Sequence, residues 1–519
     1  MHVLGHRCVT HKIGSDHPLA GKVVYIPAMA EGSVEAFASV FHWLGIEAYP
    51  TSPSDERTRE LGARYTSGDE CYPAKITIGD FLKIVEQPGF EPARTVYFMA
   101  TTDGPCRFGQ YAPFIHKILR DMGYGAVQLL SPGSQHGYGD IGKFGTPFIR
   151  AAWRALVSAD ILRKLLLQIR PYETVPGAAD KAFQESVRDL CQTLETSCSN
   201  YDCQLKSLVG ALLRARQRFY DVPIVYNLQR PLIGIVGEIF CRLNNFSNEN
   251  LVRRLESYGA ECWMTDIPEW IAYTNGEEVQ ALRLTGRAFS VDMLKSKLRS
   301  RIQHADMQAL LAPFVEDFVG YEEPDIQEVI ELAHPYLPHS GAEGEMVISI
   351  GKSAYLARHG VDGIVDISPF TCMNGIVSEA IYPRLSKDYG GVPIRNFYFD
   401  GTQSDLNRDV GIYLELAHSY RARKPYARLY PPHFTQCVAL HPRPSTTPEQ
   451  SNRDRDRQPQ ARRAFRGLKT QSAFKDDGFT EEAGVVHFDD IRSKAETSSR
   501  PASTGPRREG RNEICTRKS

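Results

Sequence analysis

The stretch RTVYFMATTDGPCRFGQYAPF, Arg94 to Phe114, decides the fold class. Its first seven residues are rich in β-branched and aromatic side chains, as a sheet strand requires. TTDGPC then breaks the run with turn formers, and Tyr111, Phe114, Ile115, Ile118, Leu119 and Met122 follow at the spacing of one helical face. A strand turning directly into an amphipathic helix is half of a βαβ unit. The same alternation lies on both sides. KVVYIPA from Lys22 and GAVQLL from Gly125 read as strands, and Val34, Phe37, Ala38, Phe41 and Leu44 share a helical face that should cover the sheet.

A second alternation starts at PLIGIVGEIF from Pro231. It continues through the helix-like NENLVRRLESYG and the strand-like AECWMTD, and closes with GIVDIS from Gly363 and IRNFYFD from Ile394. Between the two, residues 146–228 hold Trp153, Leu156, Val157, Leu165, Leu166 and LVGALLRARQRFY with few turn signals, which predicts a helical bridge. The expected class is therefore α/β, with two Rossmann-like parallel-sheet domains at 21–145 and 229–430. A short N-terminal arm at 1–20 precedes them. From 431 to 519 the composition shifts to Arg, Gln, Ser, Thr and Pro, as in RDRDRQPQARRAFR, and a disordered tail is expected because such a segment buries little apolar surface.

At 519 residues the chain is long enough for two or three cores. Lys and Arg (61) nearly cancel Asp and Glu (62), so no global field draws in nucleic acid or an anionic membrane, and neither is expected as a partner. No run of about 18 apolar residues occurs, and the first twenty residues lack an apolar signal core, which makes a cytoplasmic protein the expectation. The eleven cysteines are odd in number and contain no C-x-x-C pair. Reduced thiols or metal ligands suit that pattern better than a secreted disulfide framework.

Cys71, in SGDECYPAKITIGDF, precedes Pro73 and an apolar helical recurrence of Ile76, Phe81, Leu82 and Val85. Cys106 lies at the turn between the Arg94 strand and the helix that begins near Gly109. Cys372, in DISPFTCMNGIVSEAI, falls between the Gly363 strand and a helix whose Ile376, Val377, Ala380 and Ile381 share a face. All three occupy the carboxyl edge of parallel strands, where ligands bind and helix N-termini favour a thiolate. A lone free cysteine is most often a small buried hydrophobe. Here the neighbours are polar turn formers, which favours ligation of a cluster gathered from distant loops.

GDECYPAK, DGPCRFGQY, GEIFCRLNNFSNENLVRRLE and DISPFTCMNGIVSEAI resemble the 2-hydroxyacyl-CoA dehydratase and benzoyl-CoA reductase superfamily, in the branch associated with CoA-substrate-specific enzyme activases. The resemblance spans about Gly21 to Pro431. It implies two Rossmann-like domains with a 4Fe-4S cluster held by Cys71, Cys106 and Cys372, one iron being left open to water or substrate. It further implies an anaerobic iron–sulfur protein of lyase-like or reductase-like activity. In relatives a separate ATP-dependent activase delivers a low-potential electron to act on a CoA-thioester, and similar subunits pair as homo- or hetero-dimers. The alternative classes are a non-catalytic 4Fe-4S electron-transfer or scaffold subunit and a nucleotide-binding protein.

Other constellations carry less. GYGDIGK, Gly137 to Lys143, has the outline of a phosphate loop, but Phe144 stands where a magnesium-binding hydroxyl belongs, so a plain glycine-rich turn is expected. Asp400-Gly401-Thr402 only faintly matches the phosphate loop of an activase ATPase. Cys191, Cys198 and Cys203 in the bridge read as packed or exposed thiols. His2, His6, Cys8 and His11 fall in the arm, and Cys437 and Cys515 in the tail. Cys241 is a reserve ligand expected to pack near the site, with Glu238, Asn244 and Asn248 shaping its loop. Arg107 and Glu70 are secondary site candidates, and HSGAEGE from His339 reads as a polar turn before a helix.

Overall fold

In a computed structural model the described residues are 12–102, 104, 106–133, 145–197, 200–338, 341–402 and 405–434. The first sheet contains β1 (Val23–Ile26), β2 (Glu47–Pro50), β3 (Thr95–Phe98) and β4 (Gln128–Leu130), in the order β2-β1-β3-β4. Every pairing is parallel, with Val24 opposite both Ala48 and Val96. The second sheet repeats the plan with β5 (Leu232–Gly237), β6 (Glu261–Met264), β7 (Gly363–Pro369) and β8 (Ile394–Phe399), in the order β6-β5-β7-β8, again all parallel. In each sheet the chain steps to one side of the first strand and then to the other. That reversal opens a crevice at the carboxyl edge between β1 and β3, and another between β5 and β7.

The α/β class with two parallel sheets agrees with the sequence reading, strand for strand except β2. EAYP is only four residues long and lies at the sheet edge, with Ala48 alone buried, so it carries little of the apolar signal of a central strand. The apolar helical faces also form. α1 (Ser33–Trp43) buries Val34, Ala38 and Phe41, and α4 (Tyr111–Asp121) buries Tyr111, Ile115, Ile118 and Leu119.

Between the sheets run α5 (Gly145–Ile169), α6 (Ala178–Thr196) and α7 (Tyr201–Tyr220). α5 is buried on almost every side, including Arg154, Asp160, Arg163 and Lys164. Each of these charges has a counter-charge: Arg154 and Arg150 both grip Asp306, Arg163 pairs with Asp160, and Lys164 pairs with Glu323. Burial without such partners would be prohibitive. α5 packs on α1 and on β6, and one hydrophobic core runs from Val24 in the first sheet through Phe148 and Leu162 to Ile364 in the second.

The chain between β6 and β7 adds α10 (Ile267–Leu284), α11 (Val291–Leu311), α12 (Ile326–Ala333) and α13 (Glu345–Arg358). α14 (Met373–Asp388) departs from expectation. Its buried face is Asn374, Gly375, Ser378, Tyr382 and Leu385, whereas Ile376 is 53% exposed. The small residues let the helix approach β7 so closely that a Cβ on Gly375 would lie 2.7 Å from Ser368 Oγ. Tyr382 then donates to Asp366 Oδ2 at 2.6 Å. Close approach and a buried hydrogen bond set the orientation, and the apolar count does not.

α2 (Glu56–Tyr65) and α3 (Tyr72–Val85) form the tightest pair in the first half. Gly62 sits against the carbonyl oxygen of Lys75, and Gly79 against that of Thr58, each so near that an added Cβ would fall 1.9 Å away. Thr58 and Ser54 donate to the buried Asp80 carboxylate at 2.8 and 2.9 Å. This pinched pair carries the Ser67–Cys71 turn at its end. The arm residues His2, His6, Cys8 and His11, the turn Gly137–Lys143, and Cys198, His339, Cys437 and Cys515 lie outside the described residues.

Candidate functional site

Three cysteines open three helices. Cys71 is the N-cap of α3, with Pro73 in the first turn; Cys106 is the N-cap of the 3-10 turn Arg107–Gln110 that leads into α4; Cys372 is the N-cap of α14. All three hold extended backbone, with φ of −67°, −67° and −66°. Thr371, just before Cys372, is a β-branched residue at φ 66°, a left-handed conformation that it adopts only under strain. Such strain concentrates where a turn must aim a functional group.

The structure brings the three together. Cys71, Cys106 and Cys372 line one cavity of about 370 Å³ between the two sheets. Apolar side chains make most of its wall: Phe37, Phe98, Phe148, Trp153, Leu156, Trp270 and Ile271. Glu238, Glu277, Glu343 and Glu345 supply carboxyl groups, and Arg107 reaches from the first half to donate to Thr371 Oγ1 at 3.3 Å. Glu70 does not line the cavity. Its carboxylate caps its own turn, accepting from the amides of Ser67 and Gly68, and these bonds hold it below the usual carboxylate range despite some burial.

Burial dominates the electrostatics. It raises the Cys71 thiol, pushes Cys106 up to about 12 and raises Cys372 as well. The amides of Ala74, Phe108, Asn374 and Gly375 act in the opposite sense, as helix N-termini should, but they do not prevail. The protein's own groups thus do not favour the thiolate expected from helix position alone; a cation is what would draw the protons off. Tyr111, the first residue of α4, puts its hydroxyl 2.5 Å from the Cys71 sulfur.

The half-buried Glu238 and the buried Glu345 are neighbouring carboxyls at the start of α8 (Ile239–Leu243). Glu238 caps α8 by accepting from Phe240 N and Cys241 N at 3.0 and 2.7 Å, and Glu345 accepts from Ile239 N at 2.7 Å. Desolvation raises both, and the Glu238 charge further disfavours ionisation of Glu345, although Arg242 offsets part of this in each and the amides of Cys241 and Phe240 do so for Glu238. The pair therefore retains a proton in conditions where ordinary glutamates are ionised.

Three soft thiols in a largely apolar cavity are a donor set suited to iron–sulfur binding. Among the described residues no group of three or more His, Cys, Asp or Glu is placed to hold a metal ion. A four-iron cluster asks for a wider arrangement than a single ion, with sulfurs roughly 6 to 7 Å apart.

The reserve residues take structural places. Cys241 is fully buried in the core beneath the second sheet's edge and does not line the cavity. Asn248 donates to the carbonyls of Cys241 and Arg242, and Asn244 crosses to Ala28 O at 2.7 Å and Ser54 Oγ at 3.1 Å, so both hold the loop. Asp400 closes its own turn on Thr402, while Arg59 donates to Gly401 O. Cys191 is a free, partly buried thiol, whereas Cys203 is disulfide-bonded, against the expectation of reduced thiols throughout.

Sequence reading missed Glu277, Glu343, Glu345 and Trp270. Glu343 and Glu345 belong to the HSGAEGE turn, whose Gly344 caps α13 at φ 85°, so an acidic turn before a helix was the available signal. No protein-family model matches the chain, and no curated protein matches it.

Proposed function

We propose that this chain is the cluster-bearing component of a 2-hydroxyacyl-CoA dehydratase-like system. It takes a low-potential electron from a separate ATP-dependent activase and acts on an acyl-CoA-type substrate. The convergence of Cys71, Cys106 and Cys372, from loops of both sheets, on one largely apolar cavity carries this reading. Bound there, a 4Fe-4S cluster on three protein thiols supplies one-electron chemistry and a Lewis-acidic iron with an open position.

The chain's own residues supply the rest. The wall of Phe37, Phe98, Phe148 and Trp270 excludes water and holds an acyl group, Glu238 and Glu345 keep a proton beside it, and Arg107 clasps the rim through Thr371. A cavity of about 370 Å³ is of ligand-binding size and favours an enzyme over a non-catalytic carrier, which needs only a cluster near the surface.

Anaerobically purified protein is expected to be brown and to hold about four irons per chain, and Cys71→Ala, Cys106→Ala and Cys372→Ala are each expected to lower that content. Full iron in all three variants would refute the proposal. An EPR spectrum that changes on addition of an acyl-CoA, and stays unchanged with free CoA, would identify the enzyme class over the carrier. Pairing of two similar subunits is part of the same reading.

A further inference from the structure

The hairpin formed by the end of α10 and the start of α11 carries the most exposed large apolar side chains among the described residues. Phe289 is 105% exposed, and Leu284, Val291, Leu294 and Leu298 are 73%, 66%, 68% and 55% exposed. At about 100° per residue, Val291, Leu294 and Leu298 lie within about 60° of one another around α11, with Lys295 and Lys297 on the two flanks. Between Arg283 and Arg301 there are six basic residues, Arg283, Arg287, Lys295, Lys297, Arg299 and Arg301, against one acidic residue, Asp292. Asp292 is taken up by Arg287, and Arg299 pairs with Glu278 of α10. The tip remains strongly positive although the whole chain carries a formal charge of −1.

We propose that this tip docks on an anionic lipid surface, with Phe289 and Leu294 set into the headgroup–acyl boundary and the basic side chains against the headgroups. Charge selects the occupant. A second copy of the chain would bring like-charged tips face to face. Shape points the same way: Phe289 protrudes from the turn between the two helices and Leu284, Val291, Leu294 and Leu298 from the helix ends beside it, and a fluid lipid layer accepts a protrusion without a matched partner surface. No helix among the described residues is long and apolar enough to cross a membrane, so the contact is peripheral. The chain-wide charge balance, which argues against a membrane partner, misses this local excess.

The test is co-flotation of the full chain with phosphatidylcholine vesicles, and with vesicles that also contain phosphatidylglycerol. The wild type is expected to float with the anionic vesicles alone. Two variants, Phe289→Ser with Leu294→Ser and Arg283→Glu with Lys295→Glu, are each expected to weaken binding by at least about tenfold, with melting unchanged because all four side chains are exposed. Unchanged vesicle binding in both variants would assign the affinity to another segment and overturn the proposal, as would equal binding to both vesicle types or none to either. A wild-type dimer that the apolar variant dissociates in sedimentation velocity would give the face to a second copy and also overturn it.

Discussion

Replacing Gly62 by alanine puts the close α2–α3 pairing to the test. An added Cβ would lie 1.9 Å from the carbonyl oxygen of Lys75, whereas ordinary contact begins near 3.4 Å, so the helices must part by about 1.5 Å or tilt. The obstructing atom is backbone and cannot rotate away. Overpacking of this kind costs about 1–3 kcal/mol, and alanine's better helix propensity returns about 0.5–1 kcal/mol, so a net loss of about 1 kcal/mol is expected. Gly210, in α7, is the control: the same substitution there meets only the mobile tip of Arg214, 3.7 Å away. Gly210→Ala should therefore stabilise by about 0.5–1 kcal/mol. Guanidinium unfolding of both variants reads the two signs. Because Lys75 lies one turn beyond Cys71, the proposed cluster adds a second readout: Gly62→Ala should lower iron retention after reconstitution, which Gly210→Ala should leave intact. Equal midpoints for the two variants would refute the packing argument.

Further outcomes follow from buried charges. Lys352 is fully buried and donates to Glu269 at 2.8 Å and to Glu323. Lys352→Met should cost about 3–5 kcal/mol, since two carboxylates lose a partner, and adding Glu269→Gln should recover part of the loss in a double-mutant cycle; strict additivity would show that the pair does not interact. Burial raises Asp80 from its ordinary 3.8 to about 7, against the hydroxyls of Thr58 and Ser54. The folded state then binds a proton that the unfolded chain has released, so this group's contribution falls as pH rises from about 4 to about 7 and is level above. Asp80→Asn should flatten that decline by up to about 1.4 kcal/mol per pH unit, and an unaltered pH profile would count against it.

What the sequence disclosed, it disclosed through periodicity and turn chemistry. Continuous apolar strands such as LIGIVG and the stripe on α4 announce themselves because one period dominates each. The three cysteines were legible because each follows a turn signal and opens a helix, Cys106 and Cys372 after a strand and Cys71 after the helix α2. Their sharing one cavity was not, since that depends on how two sheets pack across α5. Glu345 escaped for a related reason: its pairing with Ile239 N spans 106 residues, and no local pattern encodes such a distance. The face of α14 was misread because Gly375 and Ser378 bury through close approach, which hydrophobic counting cannot register.

α5 has a mechanical consequence. Twenty-five residues of helix make a rod about 37 Å long, and Phe148, Ala152, Trp153 and Leu156 on it form one side of the cavity. A single keel shared by both halves denies them a hinge along that line. Breathing of the cavity has to be absorbed elsewhere on its lining, where Arg107 reaches Thr371 with one long hydrogen bond.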